Sequence, residues 1–201
     1  MATIGLSKPY YAKYTNDGTT VTYSAGGLLG KYTELSVELN DAEDNTLYGD
    51  DAPDESDQQF SGGKANVTTN DLLPDVMLPI LGLIAEAVAA SGLATENPQW
   101  LVWNDDQAIP YVGLGGVIKK KTNGRIKWVA FVLEKIQFAN PGLSAVTQGK
   151  TIEWQTQKLT ATILRSDAAK HSWFRMSSLM DSAEDAEKLV KAFLNIPEAT
   201  A

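Results

Sequence analysis

The clearest alternation of apolar and polar positions runs from Lys31 to Leu39: Leu35, Val37 and Leu39 point one way, and Glu34, Ser36 and Glu38 the other. A period of two over that length predicts a half-buried strand. Residues 64–69 resume a β-compatible pattern, so the segment between them joins two neighbouring strands and is too long for a tight turn. A stronger β block follows. Pro110 to Lys121 and Arg125 to Phe138 flank Asn123-Gly124, a dipeptide suited to the positive backbone angles of a type I′ turn, and predict a long hairpin. Trp128 to Leu133 is apolar at consecutive positions, which implies cover on both faces. A further strand is expected over Thr151 to Leu164, after the turn Asn140-Pro141-Gly142.

Two stretches have helical spacing. The first starts near Asn70 or Asp71 as N-cap, with Pro74 in the first turn, and extends to Gly82 or beyond; a flanking helix of about residues 71–90 should lay its apolar face on the sheet. The apolar run Leu72 to Leu93 contains Pro74, Asp75, Pro79, Gly82 and Glu86, which suits a kinked or broken soluble helix rather than a bilayer span. The second helix runs from Asp181 to about Asn195, within a C-terminal extension of about 176–201. Asp181 or Ser182 can cap it, and Leu189, Val190, Phe193 and Leu194 form the apolar stripe, placed to dock on a neighbouring subunit.

Charge changes this picture in one place. Between Asp41 and Asp57 lie eight carboxylates (Asp41, Glu43, Asp44, Asp50, Asp51, Asp54, Glu55 and Asp57) and no Lys or Arg. The rest of the chain is balanced, so this stretch holds the whole net charge of −8. Interrupted by the uncharged turn Thr46-Leu47-Tyr48-Gly49, it is expected to form a long projecting loop over residues 40–62. The opposite sign collects elsewhere: Lys119, Lys120, Lys121, Arg125 and Lys127 surround the Asn-Gly turn, with no acid between Asp106 and Glu134. Turn tips are commonly solvated and charged, but two charge-segregated loops on a balanced chain also suit contact between copies. Nucleic-acid binding fits the net charge less well.

At 201 residues and 43% hydrophobic, the chain is long enough for one well-buried core, and a single domain over 1–201 is expected. The absence of cysteine removes disulfides, thiolate nucleophiles and Cys-based metal sites. Met1-Ala2-Thr3-Ile4 leads into polar and aromatic sequence without a basic start and apolar run, so cytoplasmic synthesis is expected.

Other candidate chemistry is thin. Ser144 to Thr151 resembles a phosphate-binding loop, but Ser144 stands where the first glycine belongs and a strand, not a helix, is expected after it. Asp44, Gly49 and Glu55 fall at EF-hand positions one, six and twelve, yet Thr46 and Tyr48 occupy positions three and five. His171, the one histidine, sits in polar sequence and reads as a surface residue. No catalytic residue, metal site or cofactor is expected.

A series of short motifs carries a resemblance. It comprises Ile4-Gly5-Leu6, Tyr10-Tyr11-Ala12, Glu34 to Glu38, Thr46 to Asp51, Phe60 with Gly62-Gly63, Asp71-Leu72, Leu81-Gly82, Pro110 to Gly115, and Gly149 to Thr156. Their order over roughly residues 4–164 resembles the major tail proteins of long-tailed, siphovirus-like phages. The stretch Ile84 to Gln99 and the C-terminal helix depart from that pattern.

The resemblance implies a mainly β subunit with a flanking helix, an antiparallel β-sandwich or barrel of the phage tail tube and type VI secretion tube kind. It implies a non-enzymatic virion protein, assembled in the host bacterial cytoplasm, whose hexameric rings stack into the conduit for DNA ejection. Its partners would be further copies of itself and the tape-measure, tail initiator and terminator proteins. DNA would pass through the lumen without specific binding, and no membrane would be involved. For the acidic loop, two placements follow: along the tube axis against the next ring, anchored by Leu47 and Tyr48, or in the lumen, repelling phosphate. The Leu47-Tyr48 pair favours the first. The alternatives are a tube component of a secretion or contractile system and a carbohydrate- or ion-binding β-sandwich module.

Overall fold

The computed structural model describes residues 2–40, 45–49, 52–57, 60–88, 92, 95, 98–142, 147 and 156–198. The chain forms β1 (Ala2–Asn16), β2 (Val21–Leu28), β3 (Tyr32–Leu39), β4 (Asn45–Gly49), β5 (Ala52–Asp57), β6 (Gly63–Thr69), α1 (Pro74–Leu81), β7 (Ile84–Ala87), β8 (Gln99–Val102), β9 (Tyr111–Thr122), β10 (Arg125–Phe138), β11 (Gln157–Leu164), β12 (Phe174–Met176) and α2 (Ala183–Phe193). The protein is mainly β. One large antiparallel sheet runs β2-β1-β9-β10-β11-β6-β3, with β12 also on β10, while among the described residues β4 pairs only with β5 and β7 only with β8.

The expected strands over 31–39, 64–69 and the 110–138 hairpin are present, and β3 and β6 are antiparallel neighbours, but β3 is not the half-buried strand expected: of its three apolar positions Leu35 packs against the core, whereas Val37 and Leu39 are exposed at an unpaired edge. The hairpin turns at Asn123 (φ 48°) and Gly124 (φ 79°), both positive as type I′ requires. The double cover expected of Trp128 to Leu133 is also present. Phe131 and Leu133 enter a core with Tyr11, Leu114 and Ile163, whereas Ala130 and Val132 enter a second core with Tyr10, Tyr23 and Val190 of α2. Ile136 and Phe138 return to the first core although their parity is opposite to that of Phe131 and Leu133. A register shift against β9 between Leu133 and Ile136 makes this possible, because one extra residue reverses which face the following side chains occupy.

The helix α2 packs on the sheet of its own chain. Ser182 Oγ accepts from Asp185 N at 3.3 Å, which caps the N-terminus, and Ala186, Val190 and Leu194 are fully buried at four-residue spacing. Leu189, expected in the stripe, is 45% exposed. Gly113 and Gly115 of β9 let the helix approach. A Cβ on Gly115 would lie 2.6 Å from Val190 Cγ1, and one on Gly113 2.7 Å from Leu194 Cδ2.

Other expectations are corrected or met only in part. The first helix spans Pro74 to Leu81, not about 71–90, and its N-cap is Leu73. Asn70 and Asp71 are engaged elsewhere, since Asn70 Oδ1 accepts from Lys31 N and Asp71 Oδ1 from Leu72 N. The helix stops at Gly82 in the left-handed conformation (φ 64°), and two residues later the chain is extended and paired as β7–β8. Thr46 to Gly49 is strand β4 rather than a turn. The projecting loop contains a two-stranded hairpin, with Gly49 paired to Ala52. The strand expected from Thr151 is β11, Gln157 to Leu164, with residues 151–155 outside the described set.

Candidate interaction surfaces

The basic residues are brought together at one tip. Cross-strand register sets Lys120 opposite Lys127, Lys119 opposite Trp128, Lys121 opposite Ile126 and Thr122 opposite Arg125. Strand alternation therefore puts Lys120, Arg125 and Lys127 on one face of the ribbon and Lys119 and Lys121 on the other. On its far edge β9 pairs with β1, Ala2 facing Lys121, so the tip is three strands wide. Lys127 is ion-paired with Asp181, which relieves its repulsion with Lys120. Among the described residues, Lys119, Lys120, Lys121 and Arg125 join no salt bridge.

The acidic segment is placed by its neighbours. The chain leaves β3 at Leu39 and enters β6 at Gly63, and Asn40 N donates to Gly62 O at 3.0 Å to close the base. Leu47 and Tyr48 stand on β4, and Asp54, Glu55 and Asp57 on β5, where Glu55 is opposite Leu47 and Asp57 opposite Asn45. Asp41, Glu43, Asp44, Asp50 and Asp51 lie outside the described residues, as do Ser144, Gly149, Lys150 and Thr151 of the phosphate-loop-like stretch.

Two polar clusters inside the fold were not legible as such in the sequence. Glu134, 2% exposed, accepts from Arg175 Nε at 2.5 Å and from Ser172 Oγ at 2.6 Å, and its backbone carbonyl accepts from Tyr23 Oη. The second joins Glu187 of α2 to β1. Burial alone would push the Glu187 carboxyl up, but hydrogen bonds from Tyr10, Lys191 and Lys8 outweigh it and bring the value down to about 2. Both clusters hold secondary elements together. The only cue in the sequence was an acid, Glu134, inside an apolar run.

Neither cluster pairs a nucleophile with a base. His171 is exposed, with Nδ1 3.1 Å from Ser166 O. Among the described residues, no group of three His, Cys, Asp or Glu side chains is arranged to hold a metal, and no helix is long and apolar enough to cross a membrane. A cavity of about 390 Å³ lies beside α1, with Trp103, Asn140, Pro141 and Gln157 in its wall. Large exposed apolar side chains include Trp100 on β8, Ile84 on β7, and Val37 and Leu39 on the edge strand β3. A scan against protein-family models finds no match, and a search of curated proteins finds none.

Proposed function

We propose that this chain is a structural subunit that self-associates into stacked hexameric rings, forming the tail tube of a phage through which DNA is ejected. One observation carries the reading: a hairpin arm, β4–β5, that among the described residues pairs with nothing but itself, is inserted between β6 and the edge strand β3 of a large antiparallel sheet. A lone two-stranded hairpin is marginal in water, so contact with another copy would supply the stabilisation it lacks. The edge strands β2 and β3 add support, because unpaired backbone groups along an edge can extend a sheet into a neighbouring subunit. Head-to-tail association through two unlike surfaces closes rings.

In this reading the protein is a non-enzymatic virion component with no cofactor, built in the bacterial cytoplasm. Its partners are its own copies and the tape-measure, initiator and terminator proteins. A tube component of a secretion or contractile system shares the same physical argument. Electron microscopy of concentrated purified protein should show rings or tubes. Deleting residues 50–58 should leave a folded monomer that forms neither, and ordinary tubes from that variant would count against the arm. The wall of the 390 Å³ cavity, an aromatic ring beside amide side chains, is the observation that favours a glycan-binding module instead. A persistent monomer whose melting temperature rises with a glycan would support that reading.

A further inference from the structure

We propose that copies of this chain meet head to tail along the strand direction, the basic tip of β9–β10 on one copy seating against an acidic end that α1 and residues 103–110 build on the next. The inference rests on the self-association reading above and supplies the two unlike surfaces by which successive rings would stack.

The two surfaces lie at opposite ends of one hairpin. Asn123-Gly124 closes β9–β10 at the tip, while at the open end β9 begins at Tyr111 and β10 finishes at Phe138. β9 has 12 residues, so the ends are roughly 35 Å apart at the usual rise per residue. The open end is where α1 is held. Gln107 Nε2 donates to Leu81 O at 2.7 Å and to Asn140 Oδ1 at 2.9 Å, and Gln137 Nε2 donates to Ile109 O at 2.8 Å. The cavity beside α1 marks the same junction, because its wall combines Met77 of α1 with Trp103, with Asn140 just past β10 and with Gln157 at the start of β11.

These ends carry opposite charge. Asp71, Asp75, Asp105 and Asp106 are exposed at the α1 end, and among the described residues none of them joins a salt bridge. Lys31, tied to Asn70, and Lys158, next to Gln157, offset part of that charge. At the tip the balance is reversed, since Lys127 is paired with Asp181 while Lys119, Lys120, Lys121 and Arg125 join no salt bridge among the described residues. The acidic first turn of α2 does not cover the tip. Met180 bridges to Trp128 just before the helix, and α2 then runs away from the turn, with Val190 at Gly115 and Leu194 at Gly113. Residues 121–126 therefore project past it.

Opposite charge at the two ends steers an encounter and also sets its polarity: tip against tip, or acidic end against acidic end, places like charges together. Apolar side chains accompany the charge, with Ile4 and Ile126 exposed at the tip and Leu73 and Trp103 at the other end. Contact would remove them from water. A contact between unlike surfaces that does not close on itself repeats without limit, which extends an assembly along the strands.

The chain lacks cysteine, which makes a clean test available in the full-length protein. Ala2, opposite Lys121 at the tip, and Asn104, beside Asp105, are both exposed. Copies carrying Ala2→Cys are mixed with copies carrying Asn104→Cys and treated with a short bismaleimide. Each copy holds one thiol, so every product joins two molecules. The expected result is a mixed dimer in excess over either homodimer at low salt, lost at about 1 M salt, where charges are screened within a few Å. It should also be lost when K119E, K120E and R125E are added to the first copy, and restored when D75K, D105K and D106K are added to the second.

Tubes in the microscope without the mixed dimer overturn the docking and leave the tube reading standing. A mixed dimer with the expected salt and charge dependence, from protein that never forms tubes, upholds the docking and counts against the tube. Homodimers as abundant as the mixed product, or a mixed product indifferent to salt and charge reversal, overturn the docking. So does retardation of a DNA duplex by wild-type protein with no mixed dimer, which would assign the tip to nucleic acid instead.

Discussion

Two carboxylates show how this fold handles charge. Glu134 lies where the β10 register shifts, and its backbone and side chain together bind β2, β12 and the loop before β12 through Tyr23, Arg175 and Ser172. Removing Arg175 leaves a buried acceptor short of its charged partner. Arg175→Met should lower unfolding stability by roughly 1–3 kcal/mol in a denaturant titration. Glu187 makes a separate prediction because its folded value, about 2, lies below the ordinary 4.5. The stability it contributes is fully present above about pH 4.5 and is lost as pH falls toward 2. Thermal melts stepped through that interval should show wild type losing more than Glu187→Gln, with α2 separating from β1 as the part of the structure affected. Equal losses in the two proteins would remove Glu187 from the account.

Among the elements, α2 is held by shape as well as charge, and glycines opposite it set the approach. Gly115→Val would force side-chain atoms into Val190, and the expected cost is about 1–3 kcal/mol by calorimetry, with the sheet retained and helicity reduced. Much of the fold was legible because its strands obey local rules: Asn123-Gly124 fixed the β9–β10 turn, and consecutive apolar residues revealed the double cover of β10, while alternation located β3 but not its burial, since Val37 and Leu39 lie exposed on an edge strand. The first helix was misjudged in length because apolar Leu83 to Val88 fits either period, and the left-handed stop at Gly82 decided for a strand. Leu47-Tyr48 was read as part of a turn since acids mask strand propensity, yet cross-strand pairing with β5 overrides it. The basic tip could be read from the chain. Which of its cations is neutralised could not, because Lys127 and Asp181 are brought together by β10 pairing with the segment around Met180.

At the scale of the whole molecule, the sheet depends on distant partners. β1 pairs along nearly its full length with β9, and Ser7 Oγ donates to Val117 O across 110 positions of sequence. Both cores draw on β1 and β9 together, so neither can be completed by the first half of the chain. A fragment ending at residue 108 should stay sensitive to protease and unable to melt cooperatively, whereas the full chain should resist digestion. During synthesis β1 can pair early with β2, through Tyr10 to Asn16, but its other edge waits for β9, far along the chain. The tyrosines of β1 then lack the rest of their core cover until β9 and β10 are made. Cells making this protein in quantity would therefore face their greatest aggregation hazard before release of the chain, and holding chaperones that recognise nascent aromatic segments should raise the yield of folded protein more than any change made to the finished subunit.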